Sequence, residues 1–263
     1  MRPLTEMPRT TRVALRGVLT DIDETLTTDG RLPADAYAAL ERLSVAGKLV
    51  IPITGRPAGW CDHIARMWPV DAVVGENGAF AMRYDRKGRK LERMFIDDEA
   101  TRRSNRARLA AIGEAILRAV PGSAFASDQL YREADIAIDY REDVPELPRA
   151  AVDRIVVLME AEGMTAKVSS IHVNGWFGTY DKLSMTRRLL ARAFDTDLDA
   201  ERARFVFVGD SPNDAPLFAY FPNAVGVANV RAFADRIASL PVYVTQRKGG
   251  AGFAELVDLL LEA

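Results

Sequence analysis

The sequence predicts an α/β protein, a Rossmann-like doubly wound parallel sheet interrupted by an inserted α+β cap. Three observations carry this prediction. Apolar runs at residues 13–20, 49–53 and 204–209 stop abruptly on polar tips, at Asp21 and Asp23, at Thr54-Gly55-Arg56 and at Asp210. Helical patterns separate these runs, and near-continuous apolar strands alternating with helices mark a parallel sheet covered on both faces. Between about residues 97 and 170 the rhythm changes, and no apolar run there ends on an acid. The expected division is a first core segment at 1–85, a cap at 86–178 and a second core segment at 179–263.

Residues 1–12 carry Arg2, Arg9 and Arg12 but no apolar stretch of signal-peptide length, and read as a frayed tail. The strand at 13–20 delivers Asp21 and Asp23, which lie two apart and so point the same way on extended backbone. An Asp at the carboxyl end of a parallel strand sits in the crevice where open α/β sheets bind ligands. Asp-x-Asp is equally a turn opener, because Asp accepts hydrogen bonds from nearby amides. Pro33 then starts a helix carrying Leu40 and Leu43, which Gly47 stops. The strand at 49–53 is followed by a helix at 58–68, a short strand at 72–75 and a hairpin of 79–84 with 91–96.

The insert reads as an Arg-rich helix ending near Pro121-Gly122, a strand at 135–140, a helix at 148–162 and a strand at 164–173. The opening rhythm then returns. A helix at 181–194 sets Leu183, Leu189 and Leu190 on one face. The strand at 204–209, a short strand at 223–227, a helix at 231–238, a strand at 242–244 and a helix at 252–260 complete the alternation.

Composition narrows the function. The 263 residues are 48% apolar with a net charge of −2, an ordinary globular balance that gives no broad attraction to nucleic acid or an anionic membrane. No apolar run reaches the length of a membrane span. Cys61 is the single cysteine, so no intrachain disulfide forms, and a reducing cytoplasm is the expected location. Cys61 itself reads as a small buried apolar residue.

In a parallel sheet the tips at Asp21, Thr54 and Asp210 lie along one edge. Carboxylates crowded there repel and call for compensation, most simply by a divalent cation. Oxygen ligands without a His or Cys cluster favour Mg²⁺ over zinc.

Asp21-Ile-Asp-Glu-Thr, the Thr54 tip, Lys182 and Gly209-Asp-Ser-Pro-Asn-Asp together resemble, in order, the four motifs of the haloacid-dehalogenase superfamily. The large insert after the second motif resembles the type II cap of the branch that holds sugar-phosphate phosphatases, and Gly75-Glu-Asn-Gly is similar to a segment common there. The resemblance implies that Asp21 is the nucleophile and Asp23 the general acid and base. Thr54 and Lys182 would hold the phosphoryl oxygens. Asp21, Asp210, Asp214 and the backbone carbonyl of Asp23 would form the Mg²⁺ site. Dehalogenases and phosphonatases lack an acid at the place of Asp23, so its presence points to phosphate esters. Glu24 stands where relatives commonly have glycine.

The remaining substrate-binding candidates carry two readings each. Gly55 and Arg56 share the Thr54 tip, and Arg56 reaches an anionic substrate or simply opens a helix at the surface. Asn213 holds the metal-site loop, or Ser-Pro-Asn-Asp is only a turn. Residues 171–178 alternate like an edge strand, which puts His172 and Asn174 on one face. That face reads sugar hydroxyls with Trp176 as a stacking wall, or is solvated, the commoner case. Arg132 is a similar candidate, with a surface pair to Glu133 as its plainer reading. The arginines at 102, 103, 106 and 108 read as a solvated helix face. The expected function is a Mg²⁺-dependent phosphatase acting on a small phosphorylated metabolite, a sugar or polyol phosphate. The rival expectations are a phosphomutase and a non-catalytic regulator binding a phosphorylated ligand.

Overall fold

The structure is a computed structural model and describes residues 1–262. In chain order, β1 (Arg2–Pro3), α1 (Arg9–Ala14), β2 (Gly17–Thr20), α2 (Ala34–Val45), β3 (Leu49–Pro52) and α3 (Ala58–Met67) lead to β4 (Val73–Gly75), β5 (Phe80–Asp85) and β6 (Lys90–Phe95). The insert contributes α4 (Glu99–Ala119), β7 (Ala124–Phe125), β8 (Asp135–Asp139), α5 (Arg149–Ala161), β9 (Thr165–Val168) and β10 (His172–Trp176). The chain closes with α6 (Lys182–Phe194), α7 (Leu198–Glu201), β11 (Phe205–Gly209), α8 (Ala215–Tyr220), β12 (Val225–Gly226), β13 (Tyr243–Val244) and α9 (Gly249–Leu261).

The core sheet runs β1-β13-β12-β11-β2-β3 with every pair parallel. Apart from the exposed edge strand β1, its strands are largely apolar because alternate residues feed opposite, covered faces. Val18, Val50, Val206 and Val208 pack beneath α2, α3 and α9, whereas Leu19, Ile51, Phe205 and Phe207 pack beneath α6 and α8. The β4-β5-β6 meander joins this sheet through a parallel bridge between Ile53 and Val74. β6, which follows residue 85, pairs along its whole length with β5.

The cap is an antiparallel sheet in the order β7-β8-β10-β9 with its own core. Ile136, Ile138 and Val173 face α4 and α5 in that core. The alternate residues, Asp135, Asp139, His172 and Asn174, lie on the opposite face and are buried as well. A strand with polar residues buried on one side is pressed against another polar surface, and here that surface is the core.

Four expectations are corrected. The frayed tail is ordered structure: Leu4 and Met7 are buried, and β1 closes the sheet edge against β13. The strand expected at 164–173 is two strands, split by a turn at 169–171. β10 is an interior strand, paired to β8 and β9, so its alternation records a buried polar face rather than an exposed edge. The helix expected at 231–238 is a 3₁₀ segment at Ala228–Phe233, which turns Val230 into the core. No helix among the described residues is long and apolar enough to cross a membrane.

Candidate active site

Asp21 follows the last residue of β2, and its N–H donates to the Val208 carbonyl of β11 (2.9 Å), so two core strands fix its position. Lys182 is the first residue of α6. Asp181 and Ser184 form a capping box there, with the Asp181 carboxylate accepting the Ser184 N–H at 2.7 Å. The loop after β11 is closed by Asp214, whose Oδ2 accepts the Asp210 and Ser211 amides at 3.0 and 3.4 Å. A Cβ on Gly209 would overlap Asp214 Oδ2, so glycine is required for this closure.

These elements bring Asp21, Asp210 and Asp214 together, with one carboxylate oxygen from each lying within 4.8 Å of the others. Lys182 Nζ donates to Asp21 Oδ1 (3.2 Å) and Asp214 Oδ1 (2.9 Å). One ammonium against three buried carboxylates leaves excess negative charge. Burial pushes the Asp21 carboxyl up to about 7, with Lys182 opposing and Asp214 and Asp23 adding to the rise. Burial, then Asp214 and Asp21, push Asp210 well above the ordinary range. Burial alone would lower the Lys182 pKa, but Asp21 and Asp214 hold it above its usual value.

This donor set fits a divalent cation, because all the available atoms are oxygens and the buried charge is uncompensated. Asp214 is already bonded to Lys182 and two amides, so it braces the loop. Asp210 accepts only from Thr25 Oγ1 (3.2 Å) and Asn229 Nδ2 (3.1 Å).

The sign of the pH dependence follows. The folded pKa of Asp21 lies above its unfolded value, so its contribution to stability is fully present below about 4 and is lost as pH rises through about 7. We expect this carboxylate to make the metal-free protein less stable at pH 8 than at pH 5.5. Mg²⁺ should raise Tm more at pH 8, and thermal melts with Mg²⁺ or EDTA at both pH values check this. An equal Tm with and without Mg²⁺ at pH 8 would contradict a cation site.

The other predicted residues fall into two groups. Thr54 is fully buried, and its hydroxyl accepts the Arg56 N–H at 3.0 Å. Gly55, Ser170, His172, Asn174 and Asn213 line one cavity with Asp21 and Asp23, so the cap face looks onto Asp21. The Asn213 Oδ1 accepts the Ser211 hydroxyl at 2.8 Å. Asn174 Nδ2 donates to Asp135 Oδ2 at 3.1 Å, and His172 Nε2 lies 2.9 Å from Glu142 Oε2. Arg56 and Arg132 are committed to protein carboxylates. Arg56 holds Asp23, Asp128 and Glu142. Arg132 holds Asp128, Asp135 and the Gly55 carbonyl, and does not pair with Glu133 at the surface. Trp176 is no stacking wall: it is 1% exposed, and its indole N–H donates to the Tyr180 carbonyl. Cys61 is buried as expected, and burial raises its thiol pKa.

Several contributors carried no separable sequence signal. Asn229 joins Asp210 to the Glu24 carbonyl (2.9 Å) and the Gly249 amide (3.1 Å), but sits just before the segment read as an ordinary helix. Glu142 and Asp128 lie in cap turns with no motif around them. Glu76 belongs to the Gly75-Glu-Asn-Gly segment. Its buried carboxylate accepts the amides of Ala58, Glu133, Ala134 and Asp135 at 2.6 to 3.2 Å, stitching core to cap. Glu24 has φ 57°, a left-handed conformation that glycine adopts without strain.

A sequence model of the haloacid dehalogenase-like hydrolases matches residues 18–107, which hold Asp21, Asp23, Thr54 and Glu76. Over this stretch, about a third of its length, the chain is similar to the haloacid dehalogenase-like hydrolases. The fold is shared over nearly the whole chain with solved structures. Protein 0175 of Thermoplasma acidophilum superposes with a TM-score of 0.69 at 17% identity, covering 95% of this chain and 99% of that one. The C-terminal domain of trehalose-6-phosphate phosphatase from C. albicans gives 0.68 at 14%, covering 96% and 94%. The sucrose-phosphatase of Synechocystis sp. PCC6803, solved with sucrose and phosphate, gives 0.64 at 16%, covering 94% and 98%. No curated protein matches the sequence. The fold shared with these structures includes the six-stranded parallel sheet and the four-stranded antiparallel sheet, whose polar face meets the acidic edge.

Proposed function

We propose that this hydrolase is a Mg²⁺-dependent phosphatase acting on a sugar or polyol phosphate through an aspartyl-phosphate on Asp21. The observation that carries the reading is Lys182 bridging Asp21 and Asp214 beside Asp210, where Asp21 and Asp23 line a cavity roofed by polar cap residues. Phosphoryl transfer is mainly positioning and charge neutralisation, and this site supplies both.

In the first step an Asp21 carboxylate oxygen attacks phosphorus, and the bond from phosphorus to the ester oxygen breaks. Asp23 gives its proton to that leaving oxygen. In the second step Asp23 takes a proton from water, the water oxygen attacks phosphorus, and the bond to Asp21 breaks to free phosphate. Lys182, the Thr54 hydroxyl and the Asn213 amide hold the phosphoryl oxygens, and Lys182 offsets their charge. A Mg²⁺ held by Asp21, Asp210 and the Asp23 carbonyl, with Asp214 bracing Asp210, would supply further charge neutralisation. The cap excludes water and offers His172 and Asn174 to the hydroxyls of the leaving group. Two of the structural relatives are named for disaccharide phosphates, which supports the sugar class.

The test is phosphate release from sugar, polyol, glycolate and nucleotide monophosphates with Mg²⁺ or EDTA. We expect metal-dependent release, fastest from a sugar or polyol phosphate. Isomer formation without free phosphate would point to a mutase. Ligand-induced thermal stabilisation without turnover would point to a binding regulator.

A further inference from the structure

Arg56 connects the acid of the core to the acids of the cap. Its Nε donates to Asp23 Oδ1 (3.0 Å) and Oδ2 (3.2 Å), and its Nη2 to Asp23 Oδ1 (2.9 Å). The other edge of the same guanidinium reaches two cap carboxylates, Glu142 Oε1 from Nη2 (2.6 Å), and Asp128 Oδ2 (3.3 Å) and Glu142 Oε2 (3.4 Å) from Nη1. Trp60 lies beneath it, with the guanidinium carbon 4.7 Å from the ring centre. Every nitrogen of the group is engaged, and its side chain is 7% exposed.

The cap partners are themselves fixed. Asp139, at the end of β8, accepts the amides of Arg141, Glu142 and Asp143 at 2.8 to 2.9 Å, which shapes the loop that presents Glu142. Asp128 is held on its other oxygen by Arg132 at 3.1 Å. Against the pull of burial, His172 and Arg56 keep the Glu142 carboxylate low, at about 2. Arg56 therefore has three anionic partners when the cap is seated and only Asp23 when it is not. A guanidinium is a rigid planar fork, so fixing one edge fixes the direction of the other. Asp23 Oδ1 takes two of the three contacts and Oδ2 one, which leaves Oδ2 the freer oxygen for proton work.

We propose that Arg56 is a positioning residue that makes the aim of Asp23 depend on cap closure, through Asp128 and Glu142. The proposal rests on the phosphatase reading for its kinetic consequence, while the linkage itself is a property of the fold. Glu142 and Asp128 touch neither the nucleophile nor the acid. Their removal should nevertheless act on the step that needs Asp23 as a proton donor, which is expulsion of a basic leaving group.

The experiment compares Arg56→Met, Glu142→Gln and their double variant on a hexose 6-phosphate, a poor leaving group, and on p-nitrophenyl phosphate, whose leaving group needs no proton. We expect Glu142→Gln to lower kcat on the sugar ester about ten-fold, a fraction of the 10²–10⁴ range for general acid catalysis, and to change p-nitrophenyl phosphate turnover far less. In the double variant the two losses should fall well short of multiplying, because both cut one chain of contacts. A second readout needs no turnover: in the metal-free protein, amide exchange at residues 141–143 should accelerate in Arg56→Met while 205–209 is unchanged.

Independent, multiplying effects, or a loss confined to KM and equal for both esters, would overturn the linkage and leave Glu142 a simple substrate contact. Unchanged exchange at 141–143 would overturn it as well. If the wild type hydrolyses neither ester, the phosphatase reading fails, and the exchange measurement alone decides the linkage.

Discussion

Asp21→Asn should abolish phosphate release while leaving the chain folded. The amide keeps the shape of the carboxylate and can still accept from Lys182 Nζ, but it cannot attack phosphorus. Loss of a nucleophile that works as a unit with its neighbours typically lowers turnover by a factor on the order of 10⁴ or more. Phosphate release from the best substrate, measured beside thermal unfolding, gives the answer. The variant also removes one of three crowded carboxylates, so Tm at pH 8 without metal should be no lower than wild type. Residual turnover within ten-fold of wild type would rule out Asp21 as the attacking group.

Glu76→Ala should produce the largest loss of stability. The Glu76 carboxylate is fully buried and accepts amides from Ala58 in the core and from Glu133, Ala134 and Asp135 at the start of the cap sheet. Alanine leaves those donors without partners and removes a negative neighbour from the buried Arg132. Stranding buried donors and a charge costs about 3 kcal/mol or more, or roughly 6–12 °C in Tm for a chain of this size. Glu76→Gln should not rescue it, because its amide nitrogen would face N–H donors. Thermal unfolding measures the loss, and amide exchange at 133–135 locates it. A Tm within about a degree of wild type would mean that core and cap are joined by other contacts.

The acidic edge was legible because its elements follow local rules. Parallel strands buried on both faces are apolar throughout, so Asp21, Thr54 and Asp210 stand out as abrupt polar tips. Lys182 was singled out by the resemblance alone, and the capping box at Asp181 that fixes it as the first residue of a helix is seen in the fold. The cap was harder to read for one reason. Period-two alternation in β10 is the same whether its polar face meets solvent or another domain, and only the pairing of β10 with both neighbours shows that His172 and Asn174 are interior. Glu24 shows another limit, since its left-handed backbone is visible only in the fold.

The sequence by itself determined the class of fold, the main alternation of strands and helices and the oxygen-rich edge of the core sheet, because strand burial and tip residues are set by near neighbours along the chain. Only the tertiary structure decided the use of the long polar side chains. Arg56 meets Glu142 across 86 positions and Arg132 meets Gly55 across 77. Such contacts leave no periodic trace, since a buried charge is satisfied by whatever partner the packing of cap on core brings within reach.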